Sequence, residues 1–229
     1  MWGATTTVKT HAATAGEHRE ALRKRTRTIL RVLRTAYPDA RLELEYSNPL
    51  ELLIATILAA QCTDERVNQV TRSLFQKYKQ AEDYLKVPVT ELEEDIRPTG
   101  FFHNKAKSIQ SCCNMLVRDF QGQVPQTVEE LTRLPGVGRK TANIVLGNAF
   151  GQQAIAVDTH VKRVALRLGL AHQEDPDKIE QELCQAIPRD KWTQATHVLV
   201  FHGRKTCQAK NPRCSTCVVY GLCEWEGKK

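Results

Sequence analysis

The 229-residue sequence has no apolar run of the ~18 residues that a membrane-spanning helix needs. Its longest candidate, Leu50 to Ala60, is interrupted by Glu51. No period-2 alternation with hairpin turns persists, and no repeat or low-complexity tract occurs beyond the first 18 residues, so sheet-rich and solenoid architectures are excluded. Twelve glycines and nine prolines are too few for a collagen, and 41% hydrophobic residues are too many for a disordered chain. A secretory signal is also missing, which disfavours a disulfide framework. What is left is a soluble globular protein long enough for one large domain or two small ones.

Charge is unevenly placed. Residues 1–41 carry +6 and residues 153–229 carry +3, whereas residues 42–152 carry −2. A localised basic surface suits a polyanion, of which nucleic acid is the commonest, although a merely well-solvated surface has the same composition.

Four of the eight cysteines, Cys62, Cys112, Cys113 and Cys184, lie in apolar helical sequence and read as small buried hydrophobes. The others are Cys207, Cys214, Cys217 and Cys223, spaced C-x6-C-x2-C-x5-C. Four thiolates in so short a span can converge on one centre. The spacing matches neither zinc-finger pairs nor common ferredoxin runs, so it leaves an iron–sulfur cluster, zinc or no metal open. His197 and His202 are rival ligands that more simply pack or hydrogen-bond on a helix.

Residues 1–18 have no apolar period and read as a disordered tail, with an organelle transit peptide as the alternative. From Glu20 a basic amphipathic helix runs until Tyr37-Pro38 stops it. Asn48-Pro49 opens the apolar helix Leu50 to Ala60, and Asp64 is placed to cap the next. Helical stretches follow at 80–86, 90–97, 104–120, 126–133 and 139–150. Another starts at Asp158, and the last two cover Pro176 to Ala186 and Lys191 to His202. The expectation is an all-α fold.

Leu131 to Ala142 reads LTRLPGVGRKTA: a helix, a tight Pro135-Gly136-Val137-Gly138 turn, then a new helix. Glycines there allow positive φ and close approach of another backbone. Free amides at the helix start, with its positive dipole end, form an anion site suited to a DNA phosphate. An ordinary glycine-rich helix–helix turn is the plainer reading. Lys140 falls in the first turn of that helix, where the dipole and Arg139 both disfavour a second positive charge. Asp158 precedes an amphipathic helix, which makes it an N-cap.

The run LPGVGRKTANIVL, then AIAVDTHVKRVALRLGL, then the four-cysteine spacing, resembles the endonuclease III branch of the helix-hairpin-helix DNA glycosylases. Leu52-Leu53-Ile54, Ala60 to Asp64 and Gly100 to Ala106 match the same branch, and the likeness runs in order from about residue 22 to 226. The resemblance implies two lobes: a six-helix barrel over 42–152, including the helix-hairpin-helix at about 126–150, and a lobe from 19–41 and 153–229. The second would hold a [4Fe-4S] cluster on the loop 207–223, with Cys207, Cys214, Cys217 and Cys223 as ligands. It also implies a monomeric, cytoplasmic, nucleoid-associated enzyme of base excision repair, removing oxidised pyrimidines from duplex DNA and cleaving abasic sites. Lys140 would be the nucleophile that forms a Schiff base with the sugar, and Asp158 its essential carboxylate. Gln61 would fill the gap left by the extruded base. A second wedge after Gly100, usually leucine, is here Phe101. Gly136, Val137, Gly138, Arg139, His160, Arg204, Lys210 and Arg213 would contact DNA, while the basic residues of the cluster loop also offset the charge of a thiolate-bound cluster. Without the resemblance, Lys140 is one more solvated lysine, Gln61 a helix-terminal polar residue and Phe101 a core aromatic.

Two other functions compete. The adenine-mismatch glycosylase branch shares hairpin, aspartate and cluster but lacks the lysine. A non-catalytic DNA-binding module with a redox-sensitive cluster would need no Lys140–Asp158 pair.

Overall fold

The computed structural model describes residues 15–228, which form ten α-helices joined by turns and 3₁₀ segments, with no strand among the described residues. In order these are α1 (Ala15–Ala36), α2 (Pro49–Leu58), α3 (Asp64–Lys77), α4 (Val89–Ile96), α5 (Phe102–Phe120), α6 (Val128–Leu131), α7 (Arg139–Ala149), α8 (Thr159–Arg167), α9 (Pro176–Ala186) and α10 (Trp192–Lys205). No helix is long and apolar enough to cross a membrane among the described residues.

Local chemistry sets most boundaries. Asn48 caps α2 by accepting from the Glu51 amide at 3.0 Å, and Glu51 reaches back to accept from the Ser47 amide at 2.6 Å. This reciprocal arrangement, with Pro49 at the first helical position, fixes the start of a helix buried from Leu52 to Leu58. Asp175 caps α9 in the same way, again with a proline behind it. Elsewhere the sequence reading needs correction. Helix α1 begins at Ala15, so residues 15–18 are helical, while the rest of the expected tail, 1–14, lies outside the described residues. Thr63, not Asp64, caps α3, because the Asp64 carboxylate is drawn to Arg204. The stretch 80–86 is a 3₁₀ turn, Ala81–Leu85, and the first helix of the hairpin shrinks to Val128–Leu131.

Two hydrophobic clusters organise the packing. One gathers side chains from Leu44 to Leu146, contributed by α2 to α7. The other joins Ile29 and Leu33 of α1 to residues from Ile155 to Val219. The first is therefore one continuous stretch of chain, and the second is built from the chain before and after it.

Candidate functional site

A cavity of about 430 Å³ lies where the two clusters meet. Gln61 and Cys62 reach it from the end of α2, Lys140 and Asn143 from α7, Asp158 and His160 from the start of α8, and Arg204 from the end of α10. The tight turn puts Lys140 there. Gly136 adopts φ +80°, and a Cβ on it would stand 3.0 Å from that of Ser108, so only glycine fits. Gly138 is different: its φ is −91°, and a Cβ would meet nothing within 4 Å. Its missing side chain leaves room for something from outside. No side chain caps α7, so the first amides of that helix stand bare beside exposed Gly138, Arg139 and Lys140.

The Asp158 Oδ1 accepts from the Val161 amide at 2.7 Å, so the cap is real, and it occupies only one oxygen of a half-buried carboxylate. His160 sits beside it with Nδ1 3.1 Å from the Arg163 guanidinium, and burial pushes its imidazole below the usual histidine range. His160 is thus neutral at neutral pH.

Three residues expected to touch DNA have partners within the protein. Val137 is 6% exposed in the first cluster and its amide donates to Leu134 O within the turn, so its side chain serves the core. Arg139 turns from the hairpin to α9, where Glu180 takes it in a bidentate pair at 2.8 and 2.8 Å. Asn143 holds Glu180 in place and also donates to Ile155 O. Arg139 therefore ties the two clusters together, and its charge is matched locally rather than pressing on Lys140. Arg204 lines the cavity, with its guanidinium bridging Glu43 and Asp64. Lys210 and Arg213 lie on the cysteine loop and are exposed.

Gln61 and Phe101 share an unusual backbone. Both are in the left-handed region, at φ 54° and 48°, and both are exposed. For a bulky residue this costs on the order of 1–3 kcal/mol. Phe101 is also 63% exposed, forgoing much of the ~1.5–3 kcal/mol that burying a phenyl ring gives. It is not a core aromatic; its neighbour Phe102 packs on the first cluster instead.

The four C-terminal cysteines line one small cavity with His202, Arg213 and Trp225. Among the described residues no three His, Cys, Asp or Glu side chains converge on a single point as the ligands of one metal ion do. The thiols instead ring a shared space. Arg167 sits at its wall, donating to Cys207 Sγ at 3.5 Å, while its backbone carbonyl accepts from Cys223 Sγ at 3.2 Å. Four soft donors around one cavity, with a guanidinium against them, fit an anionic thiolate-bound cluster. His202 lies 3.8 Å from Cys217 Sγ, and burial pushes it down to about 4. His197 is far from the thiols in use: its Nε2 meets Asn148 Oδ1 at 2.9 Å in the large cavity. Burial raises Cys184 to about 11 and Cys112 to about 12, as suits inert packing thiols. Cys62 departs from that reading because it lines the large cavity.

Residues 54–189 match the HhH-GPD superfamily base excision DNA repair proteins, and residues 207–223 match the iron–sulfur binding domain of endonuclease III. Endonuclease III of Bacillus subtilis (strain 168) is 50% identical over 194 residues, 84% of this chain and 88% of that one. The chain belongs to the endonuclease III family. The family's protein from Synechocystis sp. is likewise 50% identical, over 88% of this chain and 92% of its own. A solved endonuclease III, trapped as a covalent intermediate with DNA, superposes with a TM-score of 0.85 at 47% identity, covering 88% of this chain and 95% of that one. As an endonuclease III, the protein is a base-excision repair enzyme, a DNA glycosylase and abasic-site lyase, and it carries an iron–sulfur cluster.

The cluster gives one direct expectation. Purified protein should be brown, with broad absorption near about 400 nm, as iron–sulfur ligation implies. Cys214→Ser should lose much of that absorption and melt earlier, since the 207–223 loop buries little besides Val219. A colourless wild-type protein with stoichiometric zinc would contradict it.

Proposed function

We propose that this endonuclease III excises oxidised pyrimidines from duplex DNA with Lys140 as nucleophile and Asp158 as its carboxylate partner. One observation carries the reading: an exposed lysine at an uncapped helix start and an aspartate with one oxygen to spare line the same cavity. The Lys140 amine attacks C1′ of the damaged nucleotide as the base departs, and Asp158 stabilises the positive charge that develops on the sugar. The C1′–O4′ bond then opens, O4′ takes a proton, and the resulting Schiff base permits β-elimination of the 3′ phosphate, which breaks the strand. Gln61 and Phe101 fill the space the base vacates, a role that accounts for two strained, exposed side chains. The adenine-mismatch branch is disfavoured by Lys140 itself, and a non-catalytic module has no use for the pair.

Cys207, Cys214, Cys217 and Cys223 would hold the [4Fe-4S] cluster. It supplies a rigid, charged anchor for the loop bearing Lys210 and Arg213, which face DNA. The enzyme acts as a monomer in the cytoplasm, associated with the nucleoid. Measuring excision across duplexes that each carry one lesion tests the substrate class: oxidised pyrimidines should be released fastest, and preferential release of adenine would overturn it.

Phosphate grip by the hairpin has its own test. Binding should weaken steeply as salt rises, because each phosphate contact releases counterions. Gly138→Ala puts a methyl group where the free protein has open space. Affinity for lesion and plain duplexes should therefore fall alike, since backbone contacts carry no base information. Loss of lesion discrimination alone would contradict that role.

A further inference from the structure

The mechanism leaves Lys105 unused, and its position is expensive. It is 5% exposed, sits in the first turn of α5 where the helix dipole opposes a cation, and has no carboxylate partner among the described residues. Burial accordingly pushes its ammonium below the usual lysine range, and only the Cys62 thiol opposes that. The Nζ donates instead to two main-chain carbonyls, Leu58 O at 2.8 Å and Thr99 O at 2.8 Å. Leu58 is the last residue of α2 and Thr99 the last of the 3₁₀ turn Arg97–Thr99, so both carbonyls are helix-end orphans that attract a cation. Three residues past Leu58 stands Gln61, and two past Thr99 stands Phe101.

We infer that Lys105 is a positioning residue that locks the Gln61 and Phe101 loops to each other, setting the spacing of the two wedges. One nitrogen within hydrogen-bond reach of both loops fixes that spacing. The two side chains are then held ready in left-handed conformations that neither loop would keep by itself. Lys105 acts on the displacement of a paired base and on nothing in the chemical step. This inference rests on the proposed wedge roles of Gln61 and Phe101.

The test compares one oxidised pyrimidine in two duplexes, paired normally or set opposite an abasic site where no partner base holds it in the stack. In Lys105→Met, kcat on the paired lesion should fall by about 10- to 10²-fold, the scale of a displaced positioning element. KM should change little, because phosphate contacts persist, and excision opposite the abasic site should stay near the wild-type rate. Adding Lys105→Met to a Gln61→Ala, Phe101→Ala enzyme should cause no further loss, as expected for residues acting as one unit. If Lys105→Met does not fold, Lys105→Gln takes its place: one atom shorter, it keeps a donor but cannot reach both carbonyls, so the same pattern is expected with a smaller loss. Equal slowing on both duplexes, additive losses, or unaltered paired excision would each overturn the inference. Normal paired excision by the Gln61→Ala, Phe101→Ala enzyme would instead sink the wedge reading beneath it.

Discussion

Lys140→Gln will form no covalent adduct with lesion-bearing DNA under borohydride, although it will still bind that DNA. Only an amine nucleophile gives a reducible imine with the opened sugar. Glutamine keeps much of the side chain's length and its polarity but has no such amine. Fold and affinity should survive because Lys140 is exposed and the proposed phosphate grip rests on the uncapped amides of α7. Excision itself should fall below detection in a gel assay that the wild type completes. An adduct that persists in the variant would place the nucleophile elsewhere, and loss of binding would make Lys140 a phosphate contact.

Asp158→Asn separates the observed helix cap from the proposed catalytic charge. Its Oδ1 accepts from the Val161 amide, and an asparagine oxygen caps as well, so thermal stability should change little. What disappears is the negative charge at the cavity. Base excision should then drop by about 10²–10⁴-fold, the scale of a positioned acid–base group. Strand cleavage at a ready-made abasic site should suffer less, since no base has to leave. Excision at the normal rate would reduce Asp158 to a cap.

Where a cap and a proline mark a helix start, the boundary is legible in the sequence. Asp175-Pro176 marks both the cap and the first position of α9, and the bounds Pro176 to Ala186 follow. The hairpin turn and the Asp158 cap are legible as well. Thr63 and Asp64 are both capping residue types, and the choice between them depends on Arg204, 140 positions away. Nor does any local signal announce that Arg139 will meet Glu180. Which phenylalanine of Phe101-Phe102 packs on the core is decided by a left-handed backbone that composition does not reveal. Lys105, by contrast, left a readable trace. It falls on the same helical face as Ile109, Cys112 and Leu116, all fully buried, so a charge stands within the apolar stripe of α5.

The second cluster's construction from distant stretches of chain governs how the protein is born. Arg25 of α1 donates to Leu168 O, Gly169 O and Leu222 O and pairs with Glu224, partners that leave the ribosome long after it does. The stretch from Leu44 to Leu146 can collapse as soon as it has emerged, whereas α1 must wait with Ile29 and Leu33 uncovered. The arginine face of that helix, Arg27, Arg31 and Arg34, keeps the waiting segment charged. Synthesis thus completes the cluster that carries Lys140 before the one that carries Asp158, so the cavity between them is the last part of the protein to take shape.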